Sequence, residues 1–106
     1  MACTLRIEGV TLTYIKGVQK HLIIPNHVKI IARHTFRNYQ GDVIVLPKSI
    51  EVIGPNTFTN CSSTIYCDDL SNPGIHKEAF NGFLGQIKPL KEYQKPSVLA
   101  RLFKSR

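Results

Sequence analysis

One spacing constrains this chain more than any other feature. Phe36, Phe58 and Phe80 recur at intervals of 22 residues, and so do Ile31, Ile53 and Ile75. Thr35, Thr57 and Ala79 keep the same period, as do the pairs Pro25/Pro47, Asn38/Asn60, Val28/Ile50, Leu22/Ile44 and Ile24/Leu46. A single column of this kind arises by chance; several independent columns agreeing on one period mark an internal repeat. The first repeat runs from Leu22 to Tyr39 and the second from Ile44 to Cys61. The third is degenerate. Its strand is placed at Ile65-Tyr66-Cys67, one residue early, and the stretch from Asp68 to Gly74 takes up an extra residue before the columns realign at Ile75 and Phe80.

A repeat this short cannot bury its own apolar edge. It can do so only by making one turn of a flattened spiral and stacking on the next turn, about 4.8 Å away, with strands paired in parallel. Each position then meets its own equivalent in the neighbouring coil. Phe36, Phe58 and Phe80 are expected to form a buried aromatic ladder, and Ile31, Ile53 and Ile75 an aliphatic one. Pro25 and Pro47 end their strands, because proline cannot donate to a continuing ladder. Asn38 and Asn60 mark a corner of the coil, where Asn tolerates turn geometry and satisfies nearby backbone groups.

These columns resemble a known pattern. Ile23-Ile24-Pro25-Asn26-His27-Val28, then Ile31-Ala32, Thr35-Phe36 and Asn38, looks like the BspA-type leucine-rich repeat. So does Val45-Leu46-Pro47-Lys48-Ser49-Ile50, then Ile53-Gly54, Thr57-Phe58 and Asn60-Cys61. Ala32 stands where that family usually has Gly, and Tyr39 where it usually has Cys. The resemblance covers residues 21–83 and implies a curved stack with a parallel sheet on its inner face. In such a strand side chains alternate. Leu22, Ile24, Ile44, Leu46, Ile65 and Cys67 are then expected to point inward, and His21, Ile23, Val43, Val45, Thr64 and Tyr66 outward. An outward stripe this apolar is a candidate contact surface, unless a terminal segment folds over it.

A stack needs capped ends. Residues Leu5 to Tyr14 alternate apolar and polar on both sides of Glu8-Gly9, which predicts a hairpin over the first coil. Near the other end, Val98, Leu99, Leu102 and Phe103 share one face of a helix opening at Pro96. That helix is expected either to cap coil three or to dock on a partner. Pro89 and Pro96 bracket the linker before it. The fold class expected is therefore a β-rich leucine-rich-repeat solenoid of about three coils in one domain over residues 1–106. An N-terminal β cap occupies 1–20, the repeats 21–85, and a basic linker with a short C-terminal helix 86–106.

The net charge is +7, and residues 86–106 hold six Lys/Arg against one Glu. That distribution fits a solvated tail or a basic contact surface. Met1-Ala2-Cys3-Thr4 leads directly into alternating Leu5-Arg6-Ile7, without the charged and apolar regions of a secretory signal. No apolar run approaches the roughly 18 residues of a membrane span. Three cysteines, an odd number, fit a reduced compartment better than a disulfide framework. A cytoplasmic chain without membrane contact is expected.

Catalytic chemistry is hard to find. His21, His27, His34 and His76 form no close pair with one another or with Cys at metal-ligand spacing. Cys61 and Cys67 read as buried thiols of the coil. Gly82-Phe83-Leu84-Gly85 has an apolar middle where a phosphate-clamping loop would be basic. Neither a P-loop nor a nucleophile elbow occurs. The expectation is no enzyme activity, no cofactor and no metal. The first functional reading is a protein-binding module, with partner contacts at His21, Ile23, Val43, Val45, Tyr66, Arg101, Lys104 and Arg106. The alternative is a small basic inhibitor or accessory protein that docks on a nucleic acid or nucleoprotein complex through its C-terminus. A homodimer is the third candidate assembly, because short stacks leave strand edges unpaired.

Overall fold

The computed structural model describes residues 3–93 apart from 69 and 72. Two parallel-stacked sheets face one another. The first has strands β3 (His21–Ile23), β5 (Val43–Val45), β7 (Thr64–Cys67) and β8 (Gln86–Pro89) in that order. The second runs β1 (Thr4–Glu8), β2 (Thr11–Lys16), β4 (Ile30–Ile31) and β6 (Val52–Ile53), and a parallel bridge from Ile53 to Ile75 extends it by one rung. Such an arrangement is a β-solenoid. Each coil contributes one short strand to each sheet, with corners between them.

Register follows the repeat. Leu22 lies opposite Ile44, Ile44 opposite Ile65, and Ile65 opposite Ile87. The second repeat and the third are thus offset by one residue at the strand, and the early placement of Ile65-Tyr66-Cys67 holds. Leu22, Ile44 and Ile65 are buried, at 3%, 0% and 0% exposure. The aromatic ladder is present as stacked rings. Phe36 and Phe58 centroids are 5.3 Å apart at an interplanar angle of 6°, and Phe58 and Phe80 are 4.9 Å apart at 9°. A further aromatic position closes the same corner: Tyr39 and Phe83 meet Phe36 and Phe80 edge-on at 5.4 and 5.5 Å.

The corners show why Asn recurs. Asn38, Asn60 and Gly82 occupy one column, and all have positive φ, at 65°, 57° and 75°. Asn enters this left-handed region more readily than most residues, and Gly enters it freely. Asn adds a bond between coils that Gly cannot: the Asn60 amide donates to Asn38 Oδ1 at 2.8 Å. The backbone crosses the same gap, Asn38 N–H donating to Thr59 O at 2.9 Å and Asn60 N–H to Gly82 O at 2.8 Å. Thr35 and Thr57 hydroxyls each donate to the carbonyl three residues back, at 2.7 Å. Asn60→Ala is expected to cost about 1–2 kcal/mol from left-handed strain and the lost bond, whereas Asn60→Gly costs about 0.5 kcal/mol. Equal losses for the two variants in urea melts would remove conformational strain as the cause.

The N-terminal hairpin does more than cover the first coil. β1 pairs antiparallel with β2, and Gly9 at φ 67° makes the turn. β2 itself pairs in parallel with β4, placing Leu12 opposite Ile31. Leu12, Ile31 and Ile53 are each 0% exposed. The cap therefore supplies the first rung of the aliphatic ladder. It is tied to coil one through Tyr39, whose hydroxyl donates to Gln19 O at 2.9 Å and accepts from Gln19 N–H at 3.1 Å.

The other end differs from expectation. The sequence places residues 86–89 in a linker, but they form the fourth strand of the first sheet, so the stack runs one rung further than three repeats. Ile87 follows Ile65 at the repeat spacing, and Pro89 ends this strand as Pro25 and Pro47 end theirs. A single 3-10 turn, Leu90–Glu92, follows. The helix expected from Pro96 to Lys104 lies outside the described residues, as do Val98, Leu99, Leu102 and Phe103.

Candidate functional site: the outer face of the first sheet

Strand alternation sets two outward columns on the first sheet. One is His21, Val43, Thr64 and Gln86; the other is Ile23, Val45, Tyr66 and Lys88. Parallel pairing places these columns side by side across four coils. The expected contact residues His21, Ile23, Val43, Val45 and Tyr66 are thus brought together on one face. Arg101, Lys104 and Arg106 lie outside the described residues. Sequence reasoning missed Gln86 and Lys88. The only signal for them was Ile87 at the repeat spacing, and a single apolar residue among polar neighbours is a faint one.

The face is not left open. After β8 the chain turns back across it. The Tyr93 ring lies 5.2 Å from Tyr66 at 57° and 6.4 Å from His21 at 45°. Packing against the sheet removes water from the Tyr93 hydroxyl and raises its pKa, and the neighbouring Tyr66 adds to the rise. His21 Nδ1 is buried beneath this segment without a hydrogen-bond partner. Leu90 borders a groove of about 510 Å³ together with Ile23, Ile24, Val45, Leu46 and Pro47, while Asn26, Lys48 and Ser49 provide its polar edge. The outward stripe is accordingly graded. Ile23 is 49% exposed, Val45 only 7%, and His21, Val43 and Tyr66 are half-buried. Val45 forms part of the groove lining rather than a free knob.

The groove offers shape and apolar surface, with one cation at Lys48, and the hydroxyl in its lining, Ser49 Oγ, donates to Val28 O at 2.7 Å. The thiols lie elsewhere. Cys3, Cys61 and Cys67 are all free; Cys61 and Cys67 are buried. Burial raises the pKa of each, and that of Cys67 reaches about 11 with help from the adjacent Asp68 charge. A thiol held this high is protonated at neutral pH and is a poor nucleophile. Gly82-Phe83-Leu84-Gly85 is the corner of the last coil, with Phe83 packed on Phe80. Among the described residues no group of three His, Cys, Asp or Glu is placed to hold a metal ion. No helix among them is long and apolar enough to cross a membrane.

Residues 13–95 match a family model described as BspA type leucine rich repeat region (6 copies). No curated protein and no solved structure matches the chain. The match spans most of the 106 residues, and the coil register, the aromatic ladder and the asparagine corners agree with it. The chain belongs to the BspA-type leucine-rich-repeat family.

Proposed function

We propose that this protein is a non-enzymatic interaction module that grips a partner protein on the outer face of its first sheet. Membership of a leucine-rich-repeat family favours protein binding in general. The observation that supports this face is the groove beside Ile23, a large aliphatic residue 49% exposed at the edge of a lined apolar depression. Exposed aliphatic side chains next to a concave apolar surface gain by burial, about 25 cal/mol per Å². Val45 and Leu90 line the depression, His21, Val43 and Tyr66 support it, and Lys48 at its edge favours an acidic neighbour on the partner. Arg101, Lys104 and Arg106 add long-range attraction for the same partner.

Four strands span only about 15 Å along the stack. A standard interface buries about 800 Å² on each side. The partner must therefore reach beyond the sheet, and the basic C-terminal residues are the proposed second contact. The test is capture from host lysate with wild type and Ile23→Asp side by side, followed by affinity measurement with the species recovered. Ile23→Asp is expected to fold normally and to bind at least tenfold more weakly, about 1.4 kcal/mol. Replacing Arg101, Lys104 and Arg106 together by Gln should weaken binding at least tenfold at low salt only. Undiminished capture by Ile23→Asp refutes the sheet-face reading. Capture of nucleic acid, with affinity falling by about one log unit per log unit of salt for each phosphate contact, would replace it with the nucleoprotein alternative.

A further inference from the structure

The two ends of the stack are finished differently. At the N-terminal end the antiparallel hairpin lays Leu5, Ile7 and Ile15 against the core and drives Leu12 to 0% exposure. At the C-terminal end several columns surface at their last rung, although Ala79 stays buried. Ile65 is 0% exposed but Ile87, its successor, is 46%. Phe58 and Ile53 are 0% exposed, while Phe80 and Ile75 are half-buried. The corner column Gln40, Ser62, Leu84 is polar in the first two coils, where Ser62 Oγ donates to Gln40 Oε1 at 2.7 Å. In the last coil it is Leu84, 65% exposed. A position that was polar inside the stack has become apolar where the stack stops.

The chain does not close this end along its described path. From β8 it turns onto the outer sheet face, where Leu90 and Tyr93 reach coils one to three. Among the described residues β8 is an edge strand, paired with β7. We infer that the C-terminal end of the solenoid, centred on Leu84, Ile87 and Phe80, is a self-association surface that takes the same end of a second copy of this chain.

Head-to-tail stacking is disfavoured, because the antiparallel hairpin closes the N-terminal end of the second sheet and the first-rung side chains Leu22, Ile24 and Phe36 are already buried. Among the described residues, unfinished columns lie at the C-terminal end. Two such ends meet about a two-fold axis, which closes the assembly at a dimer. The two-fold sets each β8 antiparallel to its copy, an arrangement an edge strand accepts without a second docking sequence. Pro89 at the strand's end cannot donate, so the pairing stays short. One coil's end face is also smaller than a standard interface. The dimer is thus weak and concentration-dependent.

Sedimentation equilibrium tests this directly, run at about 100 µM and so well above a Kd of about 10 µM. Wild type should give a weight-average mass about 1.8 times the monomer mass of 12.0 kDa, since about four-fifths of the chains pair at that Kd. Leu84→Glu, and separately Ile87→Glu, should give the monomer mass with an unchanged circular dichroism spectrum. In a Cys3→Ser background, Leu84→Cys should oxidise to a covalent dimer and to nothing larger. A monomeric wild type at this concentration, as follows if residues 94–106 cover the end, overturns the inference. A dimer that persists in both Glu variants does the same, and so does a ladder of larger covalent species. Leu84 and Ile87 lie apart from the groove beside Ile23, so loss of self-association leaves partner binding as a separate readout.

Discussion

Replacing Phe58 by alanine is expected to destabilise the protein by about 3–5 kcal/mol, the range for emptying a buried aromatic site. Phe58 is 0% exposed and is the middle rung of the ladder, with rings stacked on it from both sides. Phe83 adds an edge-on contact at 6.2 Å. Its removal strips a neighbour from coil one and coil three at once. A domain of this size has about 5–15 kcal/mol in total. At roughly 4–8 °C per kcal/mol, the melting temperature should fall by at least about 12 °C. Phe36→Ala should come close to this, since Phe36 is also 0% exposed, and Phe80→Ala should cost clearly less, because that ring is half-exposed. A Phe58→Ala melt within about 1 kcal/mol of wild type would be incompatible with stacked coils in this register.

Alkaline pH should undermine the fold, in part through Cys67. Its thiol is buried at 4% exposure, and its pKa rises from the ordinary 9.0 to about 11, first because burial disfavours the thiolate and second because Asp68 repels it. The unfolded chain ionises this thiol at the lower value and the folded chain at the higher one. The stabilisation is fully present below pH 9, declines as pH rises, and is gone above about pH 11. Two pH units correspond to roughly 3 kcal/mol. Cys67→Val has no proton to lose. Urea melts at pH 8 and pH 11 should therefore show wild type losing about 2–3 kcal/mol more than Cys67→Val. Parallel losses in the two proteins would show that Cys67 ionises equally in the folded and unfolded chains. At pH 8, native Cys67 should also react with a thiol reagent about 100-fold more slowly than an unperturbed thiol, from its thiolate fraction alone.

The pattern of side chains by itself determined the coil. The 22-residue columns of Phe, Ile and Asn could be satisfied only by stacking like on like, because a single turn has no inside of its own. The inward set from Leu22 to Cys67 and the asparagine corners were legible for the same reason: each is a local property repeated at a fixed interval. The sequence was weaker wherever a feature occurs once. The fourth strand contains one aliphatic residue, Ile87, between Gln86 and Lys88, and its place comes from pairing with β7, not from its own propensity. Leu12 falls outside the repeat spacing and joins the ladder only because the hairpin folds into the second sheet. Partner residues fared in between. Alternation placed His21, Ile23, Val43, Val45 and Tyr66 on one face, but which of them stays exposed depended on the return of Leu90 and Tyr93 across three coils. That contact joins segments far apart in sequence, and no local period encodes it. Tertiary packing alone decided that Ile23 remains at the surface and Val45 does not, and that among the described residues the hairpin buries Leu12 while Leu84 stays exposed.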